Sequence, residues 1–189
     1  MIDPLDAGRR RDSDNRVIMR SFSLWAQIIG FQAVWLAWAW GVPRGLLWPG
    51  ALLSVLFLAA HRLWRNTHRD DLKATLICVW AGLLHDSVLM HWGWLGFETL
   101  NPMPWAAIQP WWMALLWACL GCTLHQSLAW LNDRFWLAVP VSAIAGVMSY
   151  QAAHQMGALS LGPPWPTWLV LGLFWGLFIP LAQSFPGKK

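Results

Sequence analysis

Long apolar blocks, separated by short polar connections, are the feature that most constrains this chain. The six blocks cover residues 22–42, 45–60, 72–92, 110–128, 135–155 and 165–183. An α-helix crosses the hydrocarbon core of a bilayer with about 20 apolar residues, and lipid cannot satisfy an exposed backbone group. The pattern predicts an all-α polytopic membrane protein, a bundle of about six transmembrane helices with short loops.

The composition favours a bilayer over water as the solvent. Hydrophobic residues make up 57% of the chain and charged residues 12%, whereas a soluble domain is about 45–50% apolar and about 25% charged. Many of the 18 tryptophans lie at the ends of the apolar blocks. An indole is apolar in its ring and polar at its N–H, so it prefers the boundary between hydrocarbon and headgroups.

Positive charge alternates from one connection to the next. Only Arg44 lies in the first, third or fifth connection. The other twelve of the 13 Lys and Arg residues lie at the termini and in the second and fourth connections: Arg9, Arg10, Arg11, Arg16, Arg20, Arg62, Arg65, Arg69, Lys73, Arg134, Lys188 and Lys189. Cytoplasmic connections carry an excess of Lys and Arg. The asymmetry therefore predicts an even number of crossings and two cytoplasmic termini.

The same distribution divides the chain into three predicted regions. Residues 1–20 lack the apolar stretch of a secretory signal and are expected to form a disordered, basic cytoplasmic tail. Residues 21–184 form the six-helix transmembrane domain, and residues 185–189 form a second short basic cytoplasmic tail. The basic pI of about 9.4 follows from this topology, so the predicted partner is the lipid bilayer and not nucleic acid.

Asp86 lies inside the third apolar block. A charged side chain at mid-bilayer costs about 2.5–3.5 kcal/mol on insertion scales, and such residues are candidates for function. Gly82 and Cys78 give its helix face small side chains, so Asp86 is expected to point into the bundle. His85 is adjacent in sequence and is expected to point about 100° away, unable to pair with it. Three interpretations remain open: a structural acceptor, a group that handles protons or substrate, or an exposed residue in a segment whose predicted span is misplaced.

Depth along the predicted spans groups the polar side chains into two clusters. One is expected to open toward the outer face and contains Asp86, Ser87, His91, Tyr150, Gln151 and His154. The other lies near the cytoplasmic ends of the helices and contains His125, Gln126 and Ser127. His61 lies beside this second cluster, and Gln27 and Gln32 of the first span lie between the two levels.

Cys119, Cys122 and His125 share a helix face, a spacing that metal sites also use. Zinc requires four ligands and a fourth is not evident, so packing of small residues explains the cysteines better. No metal site and no cofactor are predicted. One alternative is a haem protein or membrane enzyme in which His91 and His154 supply axial ligands.

The motifs "GLLHDS" in the third span, "TLHQSLAWL" in the fourth and "GALSLG" after the fifth resemble a family of small bacterial inner-membrane proteins that form a domain of unknown function. The resemblance covers about residues 21–183. It implies a bacterial cytoplasmic (inner) membrane location and a neighbourhood of membrane-lipid modification, near cyclopropane-synthase-like methyltransferases and flavin oxidoreductases. Lipid-modifying enzymes would then be partners.

The chain shows no phosphate-binding loop, nucleophile–base pair or diagnostic metal-ligand set. This favours a non-catalytic accessory in membrane lipid modification or envelope stress over an enzyme. The alternative is a small proton-coupled transporter that uses intramembrane Asp86 and the histidines, although no internal repeat of the kind that many transporters contain is found. The sequence leaves the oligomeric state open.

Overall fold

The computed structural model describes residues 24–64, 69–97 and 108–184, and the two predicted tails lie outside them. The described residues form six α-helices: α1 at residues 24–41, α2 at Trp48–Trp64, α3 at Arg69–His91, α4 at Trp111–Thr123, α5 at Phe135–Gln155 and α6 at Pro164–Ser184. Short 3-10 turns follow at Val42–Arg44 and Ala129–Leu131. The predicted all-α class is confirmed.

Three described helices are long and apolar enough to cross a membrane: Leu72–His91, Phe135–Gln155 and Pro164–Ser184. They coincide with three of the predicted blocks and indicate a membrane protein. The apolar helices Trp48–Leu63 and Trp111–Thr123 are shorter. A crossing of the bilayer by all six helices therefore stays a prediction.

Helix α4 is at the centre of the packing. It contacts α3 and α2, while α5 packs along α6, and α3 also contacts α6. Helix α1 joins through aromatic contacts: Trp38 stacks on Trp112 of α4 with ring centroids 5.4 Å apart, and Phe31 lies against Phe57 of α2. The bundle thus closes around the aromatic side chains of α4.

The chain direction of α1 and α5 can be read from contacts at their two ends. Near the start of α1, the Gln27 amide oxygen lies 3.5 Å from the hydroxyl of Ser127, in the connection that leads into α5. Beyond the end of both helices, a Cβ added at Gly157 would lie 3.5 Å from Cβ of Pro43. The two helices therefore run in the same direction, as two odd-numbered crossings would.

Buried indoles lie directly on glycines of neighbouring helices. A Cβ added to any of these glycines would overlap the ring in three pairs: Trp38 with Gly50, Trp117 with Gly82, and Trp175 with Gly146. Two of the rings stack on each other, with centroids of Trp117 and Trp175 4.9 Å apart and planes at 8°. Helices pack closely in lipid where small residues leave room, and here the room is filled by large flat rings.

Helix α4 ends earlier than the apolar block at 110–128 predicts. It stops at Thr123, and residues 124–128 form turns. The Thr123 hydroxyl donates to the Leu120 carbonyl at 2.7 Å, and the side chain of Gln183 in α6 donates to the carbonyls of Leu124 and Leu128 at 3.3 and 2.8 Å. Because a neighbouring helix satisfies these carbonyls, the chain can leave the helix before the apolar residues end.

One small element is not helical. Strand β1 (Leu95–Gly96) pairs antiparallel with β2 (Ser160–Leu161), and joins the connection after α3 to the connection after α5. The backbone N–H of Gly162 extends the pairing by donating to the Trp94 carbonyl at 3.0 Å. The ribbon fixes the ends of α3 and α5 relative to each other.

Candidate functional site

Asp86 is completely buried and is contacted by polar groups from three helices. Its Oδ1 accepts a hydrogen bond from the Tyr150 hydroxyl of α5 at 2.5 Å, and its Oδ2 accepts one from Nε1 of Trp117 of α4 at 2.9 Å. As expected, the carboxyl group points into the bundle. A buried carboxyl is stabilised only when its oxygens find donors, and both oxygens of Asp86 do.

The expectation that His85 cannot pair with Asp86 is wrong. His85 Nδ1 lies 3.0 Å from Asp86 Oδ1. The imidazole stacks on Phe174 of α6 with ring centroids 3.7 Å apart. The Cα–Cβ bonds of neighbouring residues on a helix do diverge by about 100°. The imidazole of His85, stacked on Phe174 of α6, nevertheless reaches the Asp86 carboxyl group. Its Nε2 is buried and has no hydrogen-bond partner among the described residues.

The predicted outer cluster does not form one group around Asp86. Of its members, Tyr150 alone is placed against the carboxyl group. The Ser87 hydroxyl instead accepts a hydrogen bond from the backbone N–H of Gln109 at 3.2 Å. His91 ends α3 and is exposed.

The two remaining members of that cluster make contacts of their own near the end of α5. Gln151 accepts a hydrogen bond from Nε1 of Trp168 at 3.3 Å. Nδ1 of His154 lies 3.1 Å from the Leu159 carbonyl. Through these contacts, the two side chains connect the end of α5 to α6 and to the connection that carries β2.

Trp117 is the Asp86 partner that sequence reasoning missed. Its position inside an apolar block indicates a packing role, and it does pack, on Gly82 and Trp175. The available signal was Gly82, four residues before Asp86 on the same helix face. A glycine there leaves room for a large side chain, and the indole that fills the room also offers an N–H donor.

Two members of the second predicted cluster, Gln126 and Ser127, contact polar side chains of α1 and α2. The hydroxyl of Ser127 lies 3.5 Å from the amide oxygen of Gln27. The amide nitrogens of Gln27 and Gln126 lie 3.1 and 3.5 Å from Nδ1 of His61. We call these four residues, from α1, α2 and the turn after α4, the glutamine network. His125 is half-buried beside it.

A cavity of about 630 Å³ lies among α1, α4 and α5 in the described part of the chain. Buried aromatic side chains, including Trp112 and Trp117, line its inner side. Met148 and Trp130, at 64% and 52% exposure, lie at its outer rim. The cavity is therefore open on one side, and most of the groups that line it are apolar.

The cavity joins the two polar sites. Trp117 and Tyr150, which both donate to Asp86, line its wall, and so does Ser127 of the glutamine network. The lining of α5 runs over residues 141–153, about 18 Å at about 1.5 Å per residue. The hydrocarbon core of a bilayer is about 30 Å thick, so the cavity has the length of one leaflet.

The cysteines occupy separate packing positions. Cys78, Cys119 and Cys122 are buried free thiols. The Cys119 thiol lies 3.9 Å from the Ser54 carbonyl, and Cys122 lies 3.6 Å from the Thr75 hydroxyl. Across residues 24–64, 69–97 and 108–184, no group of three or more His, Cys, Asp or Glu residues has the arrangement of a metal site.

Comparison with known proteins relates the chain to one family. Neither a curated protein nor a solved structure matches it. A family model described as "Protein of unknown function (DUF2878)" matches residues 24–181, a range that includes α1 to α5, most of α6, both polar sites and the cavity. The chain is a member of this DUF2878 family.

Proposed function

We propose that this protein is an integral membrane protein that holds one lipid chain in the cavity among α1, α4 and α5. In this role it serves as a non-catalytic accessory in membrane lipid modification. The observation that carries the proposal is the cavity itself, which is apolar, open on one side and about 630 Å³ in volume. Pockets for small molecules are typically about 300–1,000 Å³ and mostly apolar.

The surroundings of the cavity support a lipid as the occupant. Helix α5, which forms one wall, is long and apolar enough to cross a membrane. A cavity open along such a helix faces acyl chains, and its length of about 18 Å at about 1.5 Å per residue suits a chain from one leaflet. An empty apolar cavity of this size would leave its lining without contacts, so a chain that fills it gains dispersion energy.

Asp86 has a positioning role in this proposal. Its two oxygens hold the Trp117 N–H and the Tyr150 hydroxyl, and both of these side chains form part of the cavity wall. The carboxyl group lies behind that wall and fixes α3 to α4 and α5. A structural acceptor of this kind also explains a charge in an apolar segment without any reaction.

The proposed topology follows the charge distribution. All six helices cross the bacterial cytoplasmic membrane, and both termini lie in the cytoplasm. The start of α1 and the glutamine network then lie toward the cytoplasmic leaflet, and the β1–β2 ribbon lies toward the outer face.

Photo-crosslinking with a phospholipid that carries a diazirine on its acyl chain tests chain binding in the cavity. We expect labelled peptides from residues 141–153 of α5 in the wild-type protein. Ala145→Phe, which places a ring in the cavity from an exposed position, is expected to lower that labelling at least fivefold. Ile144→Phe is the matched control, because Ile144 is 60% exposed and lies outside the cavity lining. Equal labelling in both variants would mean that only surrounding bilayer lipid is detected.

A lipidome comparison tests the accessory role. A deletion strain is expected to differ from its parent in one class of modified membrane lipid. The Ile144→Phe protein should restore the parental profile, and the Ala145→Phe protein should not. An unchanged lipidome on deletion would contradict a role in lipid modification.

A proton-coupled carrier is the second candidate, and one contact favours it. Tyr150 lines the cavity and donates to Asp86 at 2.5 Å, so a proton on a cavity ligand is one residue away from a carboxyl group. Proton flux into vesicles that contain the purified protein tests this. Flux that Asp86→Asn leaves unchanged in a folded protein would exclude the carrier.

A further inference from the structure

Two serines of α5 line the cavity without a hydrogen-bond partner. Ser142 is only 6% exposed and Ser149 is half-buried, and both belong to the cavity lining. A serine on a helix commonly donates to the carbonyl four residues earlier, as the Ser54 hydroxyl of α2 does to Gly50 at 2.7 Å. Neither cavity serine makes such a contact, or any other side-chain hydrogen bond, with the described residues. Both hydroxyl groups are therefore available to a ligand.

The other hydroxyl groups of the cavity wall already have partners. The Tyr150 hydroxyl donates to Asp86, and the Thr123 hydroxyl donates to a carbonyl of its own helix. The Ser127 hydroxyl lies 3.5 Å from the amide oxygen of Gln27. Within the described part of the chain, the hydroxyl groups that remain for a ligand in the cavity are therefore the two on α5.

The two serines lie at depths where an ordinary acyl chain carries only hydrocarbon. Helix α5 has 21 residues, about 30 Å at about 1.5 Å per residue, which matches the hydrocarbon core of a bilayer. Ser142 lies about 10 Å from the start of the helix and Ser149 about 9 Å from its end by the same rise. In the proposed topology, both hydroxyl groups lie well inside the hydrocarbon, away from the ester groups at the membrane surface. A polar group left unpaired in lipid is costly, so these positions favour a ligand with a polar atom at the same depth.

The wall of the cavity is uncharged. Among the described residues that line it there is no Asp, Glu, Lys, Arg or His. A buried charge without a partner is very unfavourable, so the part of the ligand that lies inside the cavity is neutral. The neutral group that pairs with a serine O–H is an oxygen that accepts a hydrogen bond, as a carbonyl, ether or hydroxyl oxygen does.

We infer that the cavity selects an acyl chain that carries an oxygen atom partway along its length, bound by the hydroxyl group of Ser142 or Ser149. The inference rests on the proposed binding of a lipid chain and adds the chemical class of that chain. A saturated chain leaves both hydroxyl groups unpaired. An oxygen within the chain pairs with one of them, buries no charge and leaves the rest of the chain against the apolar wall.

Competition against the diazirine phospholipid tests the inference in the full-length protein. The competitors are phosphatidylcholines of equal chain length that differ in one acyl chain, which is saturated, has a keto group at its middle, has a methyl branch at the same carbon, or has a keto group near the ester. We expect the mid-chain keto lipid to displace the label at a concentration about tenfold lower than the other three, as one or two added hydrogen bonds would give. The methyl branch controls for the shape of the chain, and the second keto lipid controls for its polarity.

Variants assign the preference to the two serines. The double variant Ser142→Ala, Ser149→Ala is expected to make the mid-chain keto lipid and the saturated lipid displace the label equally, while the label itself still reaches α5. Its midpoint of thermal unfolding should stay at the wild-type value, because neither hydroxyl group has a partner within the described residues. Ser160→Ala is the matched control, because Ser160 is half-buried in β2 and lies outside the cavity lining.

The outcomes separate this inference from the proposed function. Equal displacement by all four competitors in the wild-type protein would overturn the preference for an oxygenated chain and leave chain binding intact. A preference that survives in the double variant would overturn the role of Ser142 and Ser149. Labelling of α5 that no competitor displaces would overturn chain binding as well.

Discussion

At the scale of residues, Asp86 shows how a carboxyl group is accommodated in an apolar bundle. The Tyr150 hydroxyl and the Trp117 indole supply one donor to each oxygen, and His85 lies beside the same group. A buried polar group costs free energy when its partner is removed, about 1–3 kcal/mol for each unsatisfied group. The contacts of Trp117 and Tyr150 therefore connect α4 and α5 to one side chain of α3.

Replacing Asp86 with Asn is expected to destabilise the protein. The side chain keeps its size, but one acceptor becomes an NH₂ group that faces the donor of either Tyr150 or Trp117. The expected loss is about 1–3 kcal/mol of unfolding free energy, measured as a lower midpoint of thermal unfolding in detergent. Asp133→Asn is the control, because Asp133 is exposed with φ of 63°, a conformation that Asn adopts readily. Equal midpoints for the two variants would contradict the structural role.

Tyr150→Phe removes one donor and keeps the aromatic ring against Trp175. We expect a loss of about 1 kcal/mol, because one Asp86 oxygen loses its tyrosine partner. Labelling of α5 by the diazirine lipid should stay within twofold of wild type, since the ring still forms the cavity wall. A loss of labelling of more than twofold in the folded variant would point to contact between the hydroxyl and the ligand.

At the scale of elements, the helices are joined by indoles that lie on glycines. The stacked rings of Trp117 and Trp175 lie between Gly82 of α3 and Gly146 of α5. Each ring is held on both faces, so it cannot move aside for an added methyl group. Gly82 and Gly146 therefore provide flat surfaces against which aromatic rings pack.

Gly82→Ala is expected to destabilise the bundle. The added methyl group overlaps the Trp117 ring, and overpacking of this kind costs about 1–3 kcal/mol. Gly172→Ala is the matched control, because its nearest contact is an ordinary 3.7 Å from Val147 and alanine favours a helix over glycine. Thermal unfolding should show a lower midpoint for the first variant and an equal or higher one for the second. A lower midpoint for Gly172→Ala than for Gly82→Ala would exclude the packing of Trp117 on Gly82.

Gln183→Leu is expected to loosen the turn after α4. The amide of Gln183 satisfies the carbonyls of Leu124 and Leu128, and leucine cannot. Amide hydrogen exchange over residues 124–128 should become faster, while exchange in α3 stays unchanged. Gln155→Leu, at an exposed position at the end of α5, should leave exchange in that turn as it is in wild type.

At the scale of the whole molecule, the arrangement of charge predicts how the chain crosses the bilayer. Reporters fused before Met1 and after Lys189 should both report the cytoplasmic side, because Lys and Arg residues lie at both termini and in alternate connections. A reporter inserted at Gly93, which lies between α3 and β1 with φ of 70°, should report the opposite side. Termini on opposite sides would show an odd number of crossings.

The sequence alone predicts much of the architecture, because an apolar block can satisfy its backbone in lipid only as a helix. The blocks at 72–92, 135–155 and 165–183 correspond closely to α3, α5 and α6. The block at 110–128 extends five residues beyond α4, because the amide that satisfies the carbonyls after Thr123 belongs to Gln183, some sixty residues away. A local sequence pattern cannot predict a partner so distant along the chain.

The contacts of the candidate sites also fall into those that the sequence predicts and those that it does not. Depth along the helices correctly brings Tyr150 to Asp86 and His61 to Gln126, since helices of similar length place equal depths side by side. It fails for Ser87, Gln151 and His154, whose partners are set by rotation about the helix axis and by the ribbon. Rotation depends on which side chains pack together, and depth does not constrain it.

Composition, apolar block length and charge order by themselves determine that this chain is helical, suited to a membrane and carries one carboxyl group, that of Asp86, inside an apolar block. Only the tertiary structure decides that Trp117 and Tyr150 hold that group, and that these same side chains form the wall of a cavity. The physical reason is that transfer of apolar residues into lipid acts on each segment separately. Contacts between rings, glycines and amides, in contrast, depend on the relative rotation of segments distant in sequence.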